Sequence, residues 1–129
     1  MNLLHDEIDD FLNRFNSFND AVARRWAIIS SNENTNVAIE LEACDLMSKV
    51  SEWRKIKLMM ADCRSVAFVK NTKIDYEVLS SGLYIVYCDG LFGLEFGDFH
   101  DAPNSLEEII TSRCHVVAAS VAWEFVEPA

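Results

Sequence analysis

The chain has 129 residues, half of them hydrophobic and a quarter charged, with 21 Asp and Glu against 11 Lys and Arg, giving a formal net charge of −10. That balance supports a buried core in one domain, residues 1–129, and excludes a disordered chain. A surface of one negative sign repels nucleic acid and anionic lipid, adds solubility, and steers basic proteins toward it.

The start, Met1-Asn2-Leu3-Leu4-His5-Asp6-Glu7, lacks the basic opening of a signal peptide. No apolar run approaches the roughly 18–20 residues of a membrane span. The expectation is a cytoplasmic chain that engages no membrane. Cys44, Cys63, Cys88 and Cys114 form no CxxC pair, which argues against structural zinc and for free thiols packed as small hydrophobes. No metal or cofactor is expected.

Leu4, Ile8, Phe11, Leu12 and Phe15 fall on one stripe of an amphipathic helix over residues 3–15. Asp6, Glu7, Asp9 and Asp10 take the early turns and the other side, where acids complement the helix dipole. Asn-Ser-Phe-Asn-Asp at 16–20 breaks the pattern. Residues 25–30 have strand composition, 31–36 are a polar loop, and Val37, Ile39 and Leu41 alternate with Ala38, Glu40 and Glu42. The two runs read as a hairpin with one wet face. Residues 54–60 and 65–70 read as two further strands, with Ala61-Asp62-Cys63-Arg64 as their turn. Seven basic residues lie between Lys49 and Lys73, against Glu52 and Asp62.

Asp89-Gly90 between apolar runs is the signal for a two-residue type I′ hairpin. The implied register pairs Tyr87 with Phe92, Ile85 with Leu94, and Leu83 with Phe96. These six share one face; Tyr84, Val86, Cys88, Leu91, Gly93 and Glu95 take the other. Gly93 reads as a strand glycine opposite a bulky neighbour. After an acidic loop over 97–104, Ser105-Leu106-Glu107-Glu108 is a capping box opening a short helix near 105–111. His115 to Val126 is β-branched and aromatic, a central strand or a bent edge strand. The sum is an α+β fold: a mainly antiparallel twisted sheet of six or seven strands, an N-terminal helix and the helix near 105–111.

Chemistry is sparse. No nucleophile elbow, Cys-His signature or phosphate-cradling glycine pattern is present, so no catalytic residues are assigned and no enzyme is expected. Charge, by contrast, is concentrated. Between Lys73 and Arg113 there is no Lys or Arg, while Asp75, Glu77, Asp89, Glu95, Asp98, Asp101, Glu107 and Glu108 all fall there. Within this stretch Phe99 sits between Asp98 and His100, an aromatic among acids, which is the composition of an interface anchor with a charged rim. The competing reading of Phe99 is a plug tucked under the sheet, and that of His100 a solvated loop residue. The expected partner-binding surface is Asp98, Phe99, His100, Asp101, Glu107 and Glu108, and its partner a basic protein.

The short N-terminal helix, Phe18-Asn19-Asp20-Ala21 leading into strands, and Thr111-Ser112-Arg113 before a strand reaching Trp123-Glu124-Phe125 resemble the small α+β immunity proteins of bacterial contact-dependent inhibition and polymorphic toxin systems. The resemblance implies tight binding to a basic cognate toxin domain, such as a nuclease, and transfers no catalytic residues. Two other classes stand beside it. One is a ligand-binding or enzymatic sheet domain with a pocket of Tyr84, Tyr87 and Phe99 and the polar groups of His100 and Asp101. The other is a homo-oligomeric accessory protein whose final strand pairs across a dimer axis.

Overall fold

The computed structural model describes residues 1–31, 33–47, 52–68 and 77–126, with Glu77 by its backbone alone. Lys49, Lys70, Lys73 and Asp75 of the charge pattern, and the closing Glu127-Pro128-Ala129, lie outside the described residues. The elements are α1 (Ile8–Arg14), β1 (Ala21–Ser30), β2 (Thr35–Asp45), β3 (Glu52–Phe68), β4 (Glu77–Leu79), β5 (Leu83–Cys88), β6 (Leu91–Phe96), α2 (Leu106–Ile109) and β7 (Cys114–Phe125). The seven strands form one twisted, nearly closed antiparallel sheet in the order β4-β1-β2-β3-β7-β6-β5.

The expected hairpin of β1 and β2 is present, pairing Trp26 with Ile39 and Ile28 with Val37. Val37, Ile39, Leu41 and Ala43 point into the core, and the residues between them stay partly wet. On that wet face charges meet in cross-strand pairs. Arg24 reaches Glu42 at 2.8 Å and Arg25 reaches Glu40 at 3.4 Å. Glu42 and Glu40 also sit opposite Lys55 and Lys57 of β3, and Lys57 opposite Glu124 of β7. Of the basic stretch, Arg54, Lys55 and Lys57 therefore face acids on the adjacent strands, and Arg64 pairs with Asp62 of its own strand.

Residues 52–68 form one strand rather than two strands and a turn. Asp62 adopts a left-handed backbone, φ 54°, and the pairing with β7 shifts register between Cys63 and Ser65. The inward series consequently changes phase: Ile56, Leu58 and Met60 are followed by Cys63, then Val66 and Phe68. A bulge of this kind bends a strand and deepens its twist, and it helps curl the sheet toward closure.

The β5–β6 hairpin has the register expected from its turn: Tyr87–Phe92, Ile85–Leu94 and Leu83–Phe96. Asp89 and Gly90 have φ 52° and 80°, as a type I′ turn requires. β7 is central, between β3 and β6. Beyond the reach of β6, its far half is paired instead by the N-terminal segment. Leu3 N–H donates to the Val121 carbonyl, Trp123 N–H to the Met1 carbonyl, and the Met1 ammonium to the Trp123 carbonyl at 2.8 Å.

The helix read over residues 3–15 starts later. A 3-10 turn at His5–Glu7 precedes α1, so Leu3 is buried and Leu4 is turned out, 56% exposed. Phe11 and Phe15 pack on Trp123 with ring centroids 5.4 and 5.5 Å apart. The chain then makes a left-handed turn: Asn16, Ser17 and Phe18 have φ 55°, 54° and 56°. Each such residue costs about 1–2 kcal/mol, offset by full burial of Phe15 and Phe18. Gly82, φ 77°, closes against this turn, and the Ser17 carbonyl occupies the place a Cβ would take. The helices do not share one face. α1 belongs to the main core, whereas α2 covers the opposite side of β6, where a Cβ on Gly93 would meet Leu106 Cδ2 at 2.7 Å and Ile109 Cγ1 at 3.3 Å.

Candidate functional site

Residues 97–113 carry all six residues of the expected partner surface and wrap the outer face of β6 and β7. Glu95 is the post they are tied to. The hairpin alternation places its side chain away from the core, yet it is fully buried beneath this segment. Its Oε1 accepts the N–H groups of Asp98 and Phe99 and faces the Ser112 hydroxyl at 3.3 Å. Oε2 has no hydrogen-bond partner among the described residues. Burial pushes the Glu95 carboxyl above the ordinary range against those three donors, and the Asp98 charge adds to the rise.

Next to it, the buried Ser112 and His115 and the partly buried Ser65 form a polar set. The Ser112 carbonyl only accepts, so His115 Nδ1–H donates to it at 2.7 Å, and Nε2 faces the Ser65 hydroxyl at 2.7 Å. That contact has the spacing of a nucleophile and its base. Neither residue lines the cavity walled by Trp26, Phe68 and Phe96 or the groove beside α1. Its role here is to bind β3, β7 and the residue 112 turn together. Ser65 and His115 are 50 positions apart, and nothing local in the sequence couples them.

The six expected site residues divide into two kinds. Asp98 is not a free charge: it accepts the Arg113 backbone N–H and its guanidinium, each at 3.2 Å. The Arg113 N–H, then its guanidinium, hold the Asp98 carboxyl below the usual range despite partial burial. Phe99 is half-buried. His100 is exposed, with its carbonyl accepting the Tyr84 hydroxyl at 3.2 Å. Asp101, Glu107 and Glu108 are exposed. Ser105 caps α2 by accepting the Glu108 N–H at 3.2 Å, as the capping pattern requires.

Of the eight acids between Lys73 and Arg113, Asp75 and the Glu77 side chain lie outside the described residues, Glu95 is buried and Asp98 is paired. Asp89, Asp101, Glu107 and Glu108 remain at the surface. At the hairpin tip the Asp89 charge, with a smaller contribution from Glu107 of α2, pushes the exposed Cys88 thiol upward. The tip also touches the N-terminal segment, since Tyr87 stacks on His5 with centroids 4.8 Å apart. The exposed acids of residues 6–10 thus continue the acidic surface. Among the described residues no charge ladder like that of β1–β3 faces them: Arg14 is engaged by Asp45 at 3.2 Å and Arg113 by Asp98.

A cavity of about 420 Å³ opens elsewhere than Tyr84, Tyr87 and Phe99. Its walls include Trp26, Phe68 and Phe96, with Asp98 and Arg113 at one side. Among the described residues no group of three or more His, Cys, Asp or Glu side chains is placed to hold a metal, and Cys63 and Cys88 are free thiols. No helix is long and apolar enough to cross a membrane. Comparison with protein-family models, characterised proteins and solved structures finds no match.

Proposed function

We propose that this chain is an acidic protein-binding module, an immunity protein that binds and neutralises a basic toxin domain such as a nuclease, and that it is not an enzyme. The observation that carries the reading is where unpaired charge falls among the described residues. Arg24, Arg25, Lys55 and Lys57 face acids on neighbouring strands, while Asp89, Asp101, Glu107 and Glu108 stand exposed beyond the pairing of Arg113. A nuclease presents Lys and Arg to its phosphate substrate, so an inhibitor gains association rate by being acidic where it docks.

In this reading Asp101, Glu107 and Glu108 supply the charge, and Phe99 and His100 form the centre of the contact. Asp98 neutralises Arg113 and fixes the segment. The fixing supports tight binding, because Glu95, Tyr84 and Arg113 order residues 97–113 before any partner arrives.

The test is capture from the source cell's lysate at low and high salt, followed by association kinetics. One basic protein in near-stoichiometric amount is the expected result. Asp101→Lys, Glu107→Lys and Glu108→Lys together are expected to slow its association by about tenfold or more, with the difference shrinking in high salt. Unchanged kinetics with the fold intact would remove this surface from the proposal.

A further inference from the structure

A groove of about 570 Å³ runs between the N-terminal segment, α1 and the end of β2. Leu3, Phe11 and Trp123 form its floor and are buried. Its walls are apolar and unusually open: Met1 is 68% exposed, Leu4 56% and Met47 71%, with Leu46 next to Met47 at 48%. Large apolar side chains left this open beside one another mark an interaction surface rather than a core. Methionine suits such a surface, because its flexible, polarizable side chain repacks around an incoming apolar group.

The charge around the groove says what enters it. Glu7 and Asp10 line it, and Asp6 and Asp9 are exposed on the neighbouring turns. Among the described residues two cations lie in the lining, and both are engaged: the Met1 ammonium donates to the Trp123 carbonyl at 2.8 Å, and Arg14 is held by both Asp45 oxygens at 3.2 Å and lies against the Phe15, Trp123 and Phe125 rings. An acidic segment, or a second copy of this acidic chain, would meet repulsion at Glu7 and Asp10. A segment with apolar side chains on one face and Lys or Arg on the other meets attraction at the rim and apolar surface within.

We infer that this groove is a docking site for a basic amphipathic segment of a partner protein, seated on Leu4 and Met47 and held at its rim by Glu7 and Asp10. The inference rests on the basic partner proposed above and deepens it. The His5–Tyr87 stack joins the groove to the hairpin tip, where Asp89 lies exposed. One partner can therefore engage residues 97–108 by charge and this groove by apolar contact. The groove supplies apolar anchor positions more exposed than the half-buried Phe99.

The test is titration of the 15N-labelled protein with a 14-residue amphipathic peptide of Leu and Lys in 0.15 M salt, read by amide shifts and by anisotropy of a labelled copy. Shifts centred on Leu4, Phe11 and Met47 are expected. Leu4→Asp and Met47→Asp lie at exposed positions and leave the core intact; each is expected to weaken binding about tenfold or more. The triple lysine variant at 101, 107 and 108 is expected to change it less than threefold. Absence of binding, shifts centred on residues 97–108, or equal affinity of the Asp variants would overturn the groove assignment. Lysate capture separates the two readings. Equal recovery of a basic protein by wild type and Met47→Asp would keep the function and discard the groove.

Discussion

Gly82 is a position where one methyl group has a large expected cost. It has φ 77° and faces the Ser17 carbonyl and Asn19 Oδ1, the latter 2.7 Å from a built Cβ. Gly82→Ala is expected to lower unfolding free energy by about 2–3 kcal/mol, combining a left-handed backbone penalty with displacement of a strained turn; urea denaturation measures it. Ser17→Gly is expected to act the other way, by about 1 kcal/mol, because Gly adopts φ 54° without a Cβ penalty. Glu95 makes stability depend on pH. Its folded carboxyl binds a proton more tightly than the unfolded one, so its contribution is complete below the ordinary Glu value of about 4.3 and is lost as pH rises through the folded value. Asp45 runs opposite. Burial opposes its ionisation, but the Arg14 hydrogen bond, the Met47 N–H and the Arg14 and Arg54 charges outweigh it. Its contribution is present above about 3.9 and is lost as pH falls through the lowered folded value. Glu95→Gln is expected to remove the decline of stability above pH 4.3 and leave the acid limb unchanged, as read from denaturation midpoints across pH.

The elements differ in how much of them the sequence discloses, and the reasons are physical. The β5–β6 hairpin is legible because turn chemistry and alternation specify the same register. The 17-residue β3 is not: its bulge shifts the inward series by one residue, which reads locally as a turn between two strands. Leu4 reads as core by helical spacing, but the 3-10 turn before Ile8 changes the angular step and rotates it outward. Glu95 is assigned correctly to the face away from the core, yet burial of that face depends on residues 97–113 folding back over it. No periodicity encodes that event. Five of the six expected site residues, Phe99, His100, Asp101, Glu107 and Glu108, keep a free side chain among the described contacts or face solvent, while Asp98 is taken by an arginine 15 residues away. The groove at Leu4 and Met47 was not legible at all, since it joins segments 43 positions apart in the sequence. Gly93 ties element to site: Gly93→Val is expected to push α2 off the sheet through Leu106 and Ile109, costing about 1–3 kcal/mol. Faster amide hydrogen exchange across residues 105–112 would report the displacement.

For the whole molecule, charge is sorted by place rather than balanced throughout. The β1–β3 face pairs Arg24, Arg25, Lys55 and Lys57 with Glu40, Glu42 and Glu124, whereas α1, the hairpin tip and α2 keep their acids exposed. Self-repulsion across the acidic side falls as salt screens it, over a Debye length of about 8 Å at physiological ionic strength. The melting temperature is therefore expected to rise between 0.02 and roughly 0.3 M NaCl, where pairing on the β1–β3 face alone would lower it. A thermal scan at both concentrations decides which side dominates.

The central place of β7 has a consequence for biosynthesis. β4-β1-β2-β3 and β5-β6 are two partial sheets that meet only through this strand, whose residues are 114–125. On the ribosome every other strand is made first, and the partial sheets wait with the edges of β3 and β6 unfilled until residue 125 has cleared the exit tunnel. At roughly 5–20 residues per second the interval is seconds long. Open strand edges are templates for pairing with other chains, so the newborn chain is at its most vulnerable until β7 is seated, and chaperone demand should be set by how fast β7 finds its slot.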